Sequence, residues 1–231
     1  LTNDGEIDGF SLLNEKGIKT FHYPMIKISA LNSDVSFSLD DYDFFIFTSK
    51  NGVKFFFEKD TVKSQNKTSI KCISIGSKTN KTLHEYNIEP IYSAKRSYSS
   101  HLYKDLKNIK LLNSKKVMLI QGNLAKNYLF ENLKMICYLT KFVPYKTEII
   151  KELNKNLETL LKKEKTYTVF TSPSGFLSFE NLYDVNKTSI ISIGETTSSF
   201  IKERGYEPLF TSQMQSYEGI AETIISNLKI N

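Results

Sequence analysis

The chain has 231 residues, of which 40% are hydrophobic and 24% charged, and its formal net charge is +6. This composition is typical of a globular protein and argues against the disordered and fibrous classes. No apolar run approaches the roughly 20 residues that a membrane helix needs, so we expect no membrane association. Because no secretory leader opens the chain, we expect a cytoplasmic protein.

The excess of positive charge favours a polyanionic partner. Only Arg96 and Arg204 are arginines, and no basic block with interleaved aromatic residues occurs. Arginine is the residue that clamps phosphates bidentately and reads guanine edges, so nucleic acid is not the partner we expect. An anionic small molecule fits this charge pattern better.

The cysteines and histidines give no sign of a metal site or a disulfide. Cys72 and Cys137 stand far apart beside apolar neighbours, which predicts two reduced thiols. The three histidines, His22, His84 and His101, lack metal-ligand spacing. We therefore expect no metal site.

The first predicted element is incomplete. Leu1–Asn3 resembles the tail of a strand whose beginning is missing, which suggests a truncated N-terminus. The stretch from Thr2 through Lys16-Gly17 to Phe21 is predicted to match, in one half of the molecule, the strand–turn–helix unit that begins at Val117 in the other half.

The next element has a counterpart about half a chain later. Phe45–Gly52 is similar to Tyr167–Gly175. In both segments a short apolar run reaches a Thr-Ser pair, the pattern of a strand that ends at a helix N-cap. In the second copy Pro173 takes the first helical position, where its missing N–H group is harmless.

A second pair follows in the same order, Ile73–Thr79 and Ile191–Thr197. Each begins with Ile-Ser-Ile-Gly, a strand stopped by glycine, and continues with hydroxyl residues that we expect to cap the following helix. That helix is predicted to end at Asn87 in one copy and at Gly205 in the other, because both residue types tolerate the left-handed cap. A Glu-Pro step then leads into a further strand in both copies.

A third predicted strand, Val117–Gln121, is followed by Gly122-Asn123 and by a helix to about Leu133. Strands that alternate with helices predict an α/β fold with parallel sheets, and the repeat predicts two similar α/β domains. In such sheets ligands bind beyond the carboxyl ends of the strands, where helix N-termini attract anions. The loops at that edge are either helix caps alone or the walls of an anion site.

Six motifs follow one another along the chain: Phe47–Gly52, Ile75–Thr79, Gly122-Asn123, Tyr145–Thr147, Phe170–Gly175 and Ile193–Thr197. These motifs, in this order, resemble the uroporphyrinogen-III synthase family. They extend over almost the whole chain, and Ser-Pro-Ser-Gly with Ile-Gly-x-Thr-Thr is the most specific part.

The resemblance implies two similar α/β domains joined by a two-stranded connector, with the active site in the cleft between them. One domain is expected to be discontinuous. The implied division places residues 1–22 and 149–231 in domain 1, residues 28–142 in domain 2, and residues 23–27 and 143–148 in the connectors.

The family reaction is the cyclisation of hydroxymethylbilane to uroporphyrinogen III. Loss of water from the terminal hydroxymethyl group gives an azafulvene, and a spiro intermediate then allows ring D to be inverted. The resemblance implies a lyase of heme biosynthesis without a cofactor. It also implies a monomer that contacts the preceding pathway enzyme transiently.

The resemblance also implies roles for individual residues. Tyr145 matches a family tyrosine placed to assist loss of the hydroxyl group; packing of its ring is the alternative. Thr79 and Thr197 match threonines near the substrate, and helix capping is the alternative there. The remaining expected substrate-binding residues are Thr48, Ser49, Asn51, Gly76, Gly122, Asn123, Ser172, Ser174, Gly194 and Thr196.

Two hypotheses of different classes stand at this point. The first is an enzyme, a cofactor-free uroporphyrinogen-III synthase. The second is a two-domain binder or sensor of an anionic small molecule, which would use the same helix ends. A tyrosine in the connector favours chemistry, because a binder has no need of it.

Overall fold

The structure is a computed structural model that describes residues 8–31, 36–94, 99–163, 165–214 and 216–229. Its strands are β1 Ile26–Ala30, β2 Phe44–Phe47, β3 Cys72–Ile75, β4 Tyr92–Ala94, β5 Lys116–Ile120, β6 Tyr138–Phe142, β7 Tyr145–Ile149, β8 Thr166–Phe170, β9 Thr188–Ser192 and β10 Phe210–Thr211. Its α-helices are α1 Ser11–Glu15, α2 Lys50–Phe57, α3 Asp60–Lys63, α4 Ser77–Glu85, α5 Ser99–Asn108, α6 Tyr128–Leu133, α7 Lys155–Lys163, α8 Pro173–Leu182, α9 Glu195–Glu203 and α10 Tyr217–Leu228. The predicted strand tail at Leu1–Asn3 lies outside the described residues.

The chain divides into two compact units. Unit 1 comprises Leu1–Lys27 and Glu148–Asn231, and unit 2 comprises Ile28–Thr147. Both boundaries fall within the two-stranded sheet that β1 forms with β7. The chain therefore passes between the units through paired strands.

Unit 2 is built on a five-stranded parallel sheet with the order β4-β3-β2-β5-β6. All four residues of β2 are buried, as expected for a central strand covered on both faces. Because successive side chains point to opposite faces, Phe45 and Phe47 belong to one buried cluster and Phe44 and Ile46 to the other.

Helices supply the other half of each cluster in unit 2. Val53 and Phe56 of α2 share a cluster with Phe47, and the rings of Phe47 and Phe56 meet edge-to-face with centroids 5.4 Å apart. Leu102 and Leu106 of α5 lie in the cluster on the opposite face of the sheet. The side chains of β2 thus share a buried cluster with a helix on each face of the sheet.

Unit 1 repeats this plan with a parallel sheet whose described strands are ordered β10-β9-β8. Ile190 and Ile191 are adjacent in β9 and belong to different buried clusters, one on each face. Phe170 of β8 packs edge-to-face against Phe176 and Phe179 of α8, with centroid distances of 5.0 and 5.2 Å. The expected α/β class with parallel sheets is confirmed in both units.

The predicted ends of two equivalent helices are also confirmed. After α4, Asn87 has a φ of 58°, and after α9, Gly205 has a φ of 87°. Both residues thus adopt the left-handed conformation that commonly ends a helix, and glycine and asparagine are the residues that tolerate it best.

Two further sequence predictions can be compared with the described residues. Cys72 and Cys137 are free and buried, as predicted, and burial raises their pKa to about 12 and about 11. Within the described part of the chain, no helix is both long and apolar enough to cross a membrane.

Candidate active site

The carboxyl edge of the sheet in unit 2 collects several of the predicted site residues. Phe47 of β2 lies in register with Ile120 of β5, so the chain leaves both strands at the same level. The hydroxyl of Thr48 donates to the carbonyl of Ile120 at 3.3 Å, which ties the two exits together. Ser49 follows one exit, and Gly122 follows the other.

Ser49 is the N-cap of α2, as the Thr-Ser pattern predicted. Its backbone is extended, with φ −158° and ψ 153°, and its Oγ accepts a hydrogen bond from the N–H group of Gly52 at 3.0 Å. A serine cap of this kind typically contributes about 1 kcal/mol to helix stability. The cap also fixes where the Ser49 hydroxyl points.

Tyr145 is the first residue of β7, and its phenol lies beside that cap. Only 7% of the residue is exposed, and its hydroxyl oxygen lies 2.9 Å from Ser49 Oγ. The ring stacks on Phe55 of α2 with a centroid distance of 5.6 Å and an interplanar angle of 20°. The phenol is therefore held on its face by an aromatic ring and at its tip by a hydroxyl group.

Gly122 completes this enclosure because it has no side chain. A Cβ atom at this position would lie 2.6 Å from both Cζ and the hydroxyl oxygen of Tyr145. That separation is well below van der Waals contact, so a side chain here would displace the ring. Glycine is needed at this position for close approach of the tyrosine.

Asn123 holds the strand that carries Tyr145. Its Nδ2 donates to the carbonyl of Thr147 at 3.2 Å, and its Oδ1 accepts from the N–H group of Thr147 at 2.7 Å. The side chain thus pairs with β7 as a neighbouring backbone would. In this structure Asn123 positions the connector strand; a contact with substrate stays a prediction.

The surroundings of the phenol keep it neutral. Burial raises the pKa of Tyr145 above its usual value of 10.0, and the hydrogen bond with Ser49 lowers it by a smaller amount. The net direction is upward, so the hydroxyl retains its proton at neutral pH. A neutral phenol is a hydrogen-bond donor in a partly desolvated place, which is the property that acid assistance requires.

The other predicted residues of unit 2 surround two helix starts. Asn51 is half-buried in the first turn of α2. Gly76 is the N-cap of α4 with a φ of 83°, and no side chain caps this helix. Thr79 is only 3% exposed in the first turn of α4. The expectation that hydroxyl side chains cap this helix is wrong, because the glycine itself takes the N-cap position.

Unit 1 presents a second edge with the same plan. Ser172 caps α8, accepts from the N–H group of Gly175 at 3.1 Å, and lies 3.2 Å from the hydroxyl of Ser174. Pro173 takes the first position of α8, as predicted. This edge thus repeats the cap that Ser49 forms in unit 2.

The second helix start of unit 1 corrects the same expectation. Gly194 is the N-cap of α9, which also lacks a side-chain cap. Thr196 is exposed, whereas Thr197 is 3% exposed and faces the interior of its unit. Neither Thr79 nor Thr197 caps its helix, and their roles toward a substrate stay predictions.

The structure therefore brings four of the predicted residues into one cluster: Ser49, Gly122, Asn123 and Tyr145. We call these four residues and Phe55 the tyrosine socket. Phe55 was missed by sequence analysis, because its stacking partner is 90 residues away along the chain. The sequence feature that could have indicated Phe55 is an aromatic residue in the first two turns of a helix that follows a Thr-Ser cap.

A cavity of about 560 Å³ lies elsewhere, within unit 1. It is bordered by β8, α7 and residues 18–23, and leucines and aromatic residues form much of its wall. None of the predicted site residues lines it. We therefore place the candidate site at the tyrosine socket.

Comparisons with known proteins point to one family. The family model described as uroporphyrinogen-III synthase HemD matches residues 11–228. A protein of Methanocaldococcus jannaschii named "Putative uroporphyrinogen-III synthase" is 27% identical over 222 residues, which cover 93% of this chain and 91% of that protein.

Two solved structures share the fold. The uroporphyrinogen-III synthetase of Helicobacter pylori has a TM-score of 0.67 at 22% identity, with 91% of this chain and 96% of that chain covered. A mutant uroporphyrinogen III synthase of Thermus thermophilus has a TM-score of 0.66 at 16% identity, with 97% and 95% covered. With a family model that matches nearly its whole length, the chain belongs to the uroporphyrinogen-III synthase (HemD) family.

Proposed function

We propose that the phenol of Tyr145 assists the loss of water from hydroxymethylbilane in this chain. Family membership makes the chain a uroporphyrinogen-III synthase, a lyase of tetrapyrrole biosynthesis. The observation that carries the proposal is the tyrosine socket, where a neutral phenol is enclosed by Ser49, Phe55 and Gly122. The socket places this phenol at the carboxyl edge of the sheet, where ligands bind in folds of this class.

The first chemical step follows from a neutral donor. The Tyr145 hydroxyl donates a hydrogen bond to the departing hydroxyl group of the substrate. The carbon–oxygen bond breaks, both electrons leave with the oxygen, and the oxygen departs as water with the proton that Tyr145 gives up. The pyrrole N–H group loses a proton as the azafulvene forms, and that proton restores the phenol. The azafulvene that remains is attacked by the substituted carbon of ring D, and the spiro intermediate reopens and recloses with that ring inverted.

The backbone at the two carboxyl edges supplies the second part of the proposal. The substrate bears many acetate and propionate groups, and helix N-termini bind anions through free N–H groups. Unit 2 presents the starts of α2 and α4 at its edge, and unit 1 presents those of α8 and α9. Positioning a flexible chain in one geometry can be worth up to about 7–11 kcal/mol of the barrier.

A coupled assay tests the function. Hydroxymethylbilane made in situ closes by itself to the uninverted type I isomer, so the isomer ratio reports enzyme action directly. We expect the type III isomer in the presence of the full chain. If only type I is formed with folded protein, the proposed function is wrong.

Replacement of Tyr145 by phenylalanine tests the residue. We expect kcat to fall roughly 100-fold, since a positioned acid typically contributes at least that much, while KM stays within about twofold. Tyr183→Phe is a matched control, because it also removes the hydroxyl of a buried tyrosine, one that accepts from the N–H group of Asn154 at 2.7 Å in unit 1. Equal activity of Tyr145→Phe and the control would remove Tyr145 from the mechanism.

The alternative of a non-catalytic binder or sensor is not favoured by the family match. A cytoplasmic location, a monomeric state and transient contact with the enzyme that supplies the bilane stay predictions. Size-exclusion chromatography with light scattering tests the monomer.

A further inference from the structure

The hydrogen bonds open to the Ser49 hydroxyl can be counted. Its oxygen already accepts from the N–H group of Gly52, and a hydroxyl has one hydrogen to donate. Among the described residues, the hydroxyl oxygen of Tyr145, 2.9 Å away, is the acceptor within reach of that hydrogen. Two hydrogens and two oxygens meet here, so either Ser49 or Tyr145 is the donor.

The two directions have different consequences for chemistry. If Tyr145 donates to Ser49, the phenol hydrogen is occupied and cannot reach a substrate. If Ser49 donates to Tyr145, the phenol hydrogen is free to point away from the cap. Only the second direction is compatible with a phenol that assists a leaving group.

We propose that Ser49 is a positioning residue for Tyr145, which it serves by donating its hydroxyl hydrogen to the phenol oxygen and leaving the phenol hydrogen for the substrate. This inference rests on the proposed role of Tyr145. Ser49 keeps its own proton throughout and forms no bond to the substrate. As negative charge develops on the phenol oxygen, the hydrogen bond from Ser49 becomes stronger.

The geometry prepares this donor before any substrate binds. The contact with Gly52 fixes the Ser49 side chain, and Phe55 and the bare backbone of Gly122 fix the ring. Donors held in place in this way need no rearrangement when charge develops, which is the condition under which such groups are most effective.

Two other serines show that a helix cap alone does not require this contact. Ser172 caps α8 through Gly175 at 3.1 Å, and Ser216 caps α10 through Gly219 at 3.0 Å. Ser172 approaches the hydroxyl of Ser174 and not a tyrosine. The contact of Ser49 with Tyr145 is therefore additional to the cap, and the two roles can be separated by experiment.

The test uses the full chain with 3,5-difluorotyrosine at position 145. The intrinsic pKa of this residue is lower than that of tyrosine, so it titrates at a pH at which the chain stays folded. The pKa of this residue is measured by ¹⁹F NMR in four backgrounds: unchanged, Ser49→Ala, Ser49→Thr and Ser216→Ala. The steady-state parameters of the same substitutions are measured in the unlabelled chain.

We expect Ser49→Ala to raise the pKa of the labelled tyrosine, because the donor that stabilises the ionised form is lost. In the unlabelled chain kcat should fall roughly tenfold, with KM within about twofold. Ser49→Thr should restore both readouts, and Ser216→Ala should change neither. Ser49→Gly removes the hydroxyl but remains a good N-cap, so it replaces Ser49→Ala if that variant does not fold.

A pKa that falls or stays unchanged in Ser49→Ala overturns the inference, and so does a kcat equal to that of Ser216→Ala. Failure of the proposed function looks different. If the function is wrong, the unchanged chain gives only the type I isomer, and if the role of Tyr145 is wrong, Tyr145→Phe keeps full activity, whatever the NMR titration of the Ser49 variants shows.

Discussion

The segments 48–52 in unit 2 and 171–175 in unit 1 each form a serine N-cap, but the two serines have different hydrogen-bond partners beyond the cap. Ser49 and Ser172 have nearly the same dihedral angles, −158° and 153° against −161° and 154°, and each caps its helix through a glycine three residues later. Beyond the cap, Ser49 contacts the phenol of Tyr145, whereas Ser172 contacts Ser174. The repeat thus preserves the serine cap of the helix. The second hydrogen-bond partner of the serine hydroxyl distinguishes the two edges.

The largest expected effects concern what the two units share. Phe47 and Phe170 are fully buried at the ends of equivalent strands. Phe47→Ala and Phe170→Ala should each lower the free energy of unfolding by about 3–5 kcal/mol, because each opens a cavity in a packed core. Urea denaturation followed by circular dichroism measures this. A loss below about 1 kcal/mol for either variant would show that the two positions are not equivalent.

The next prediction concerns the tyrosine socket, the feature that distinguishes unit 2 from unit 1. Gly122→Ala should displace the Tyr145 ring and lower kcat roughly 100-fold, since a shift of about 1 Å at a reacting group can have that effect. The double variant with Tyr145→Phe is the control. If Gly122 acts through the phenol, the second substitution should add little. Additive losses would place the role of Gly122 elsewhere.

The smallest effect returns to the shared caps. Ser172→Ala and Ser216→Ala should each lower the free energy of unfolding by about 1 kcal/mol, the usual worth of a serine N-cap. Neither substitution should change the pKa of a difluorotyrosine at position 145. Denaturation and ¹⁹F NMR measure the two quantities. A changed pKa in Ser172→Ala would mean that the two edges are coupled, and the contrast between them would lose its basis.

Short-range rules explain which parts of the fold could be predicted. The strand at Phe45–Phe47, the cap at Ser49 and the start of α8 at Pro173 all follow from patterns a few residues long, and all are confirmed. The left-handed residues Asn87 and Gly205 follow from the same kind of rule. The caps of α4 and α9 were predicted wrongly, because glycine is itself an acceptable N-cap residue and the prediction assigned that place to the hydroxyl residues after it.

The tyrosine socket shows where sequence reasoning ends. The contact between Ser49 and Tyr145 joins residues 96 apart in the chain. Periodicity and propensity carry no information about such a pair, since it depends on the order of strands in the sheet. The motifs placed both residues in the predicted site, and the structure adds the clamp of Asn123 on Thr147. Contacts with substrate at the other predicted residues stay predictions.

The serine cap has a consequence for protein engineering. A capping serine commits a lone pair to the backbone and leaves its hydrogen uncommitted, so the side chain is rigid and yet still able to donate. Ser216 at the start of α10 has this arrangement with Gly219. An acceptor introduced about 3 Å from such a cap would acquire an oriented donor without any change to the helix it opens.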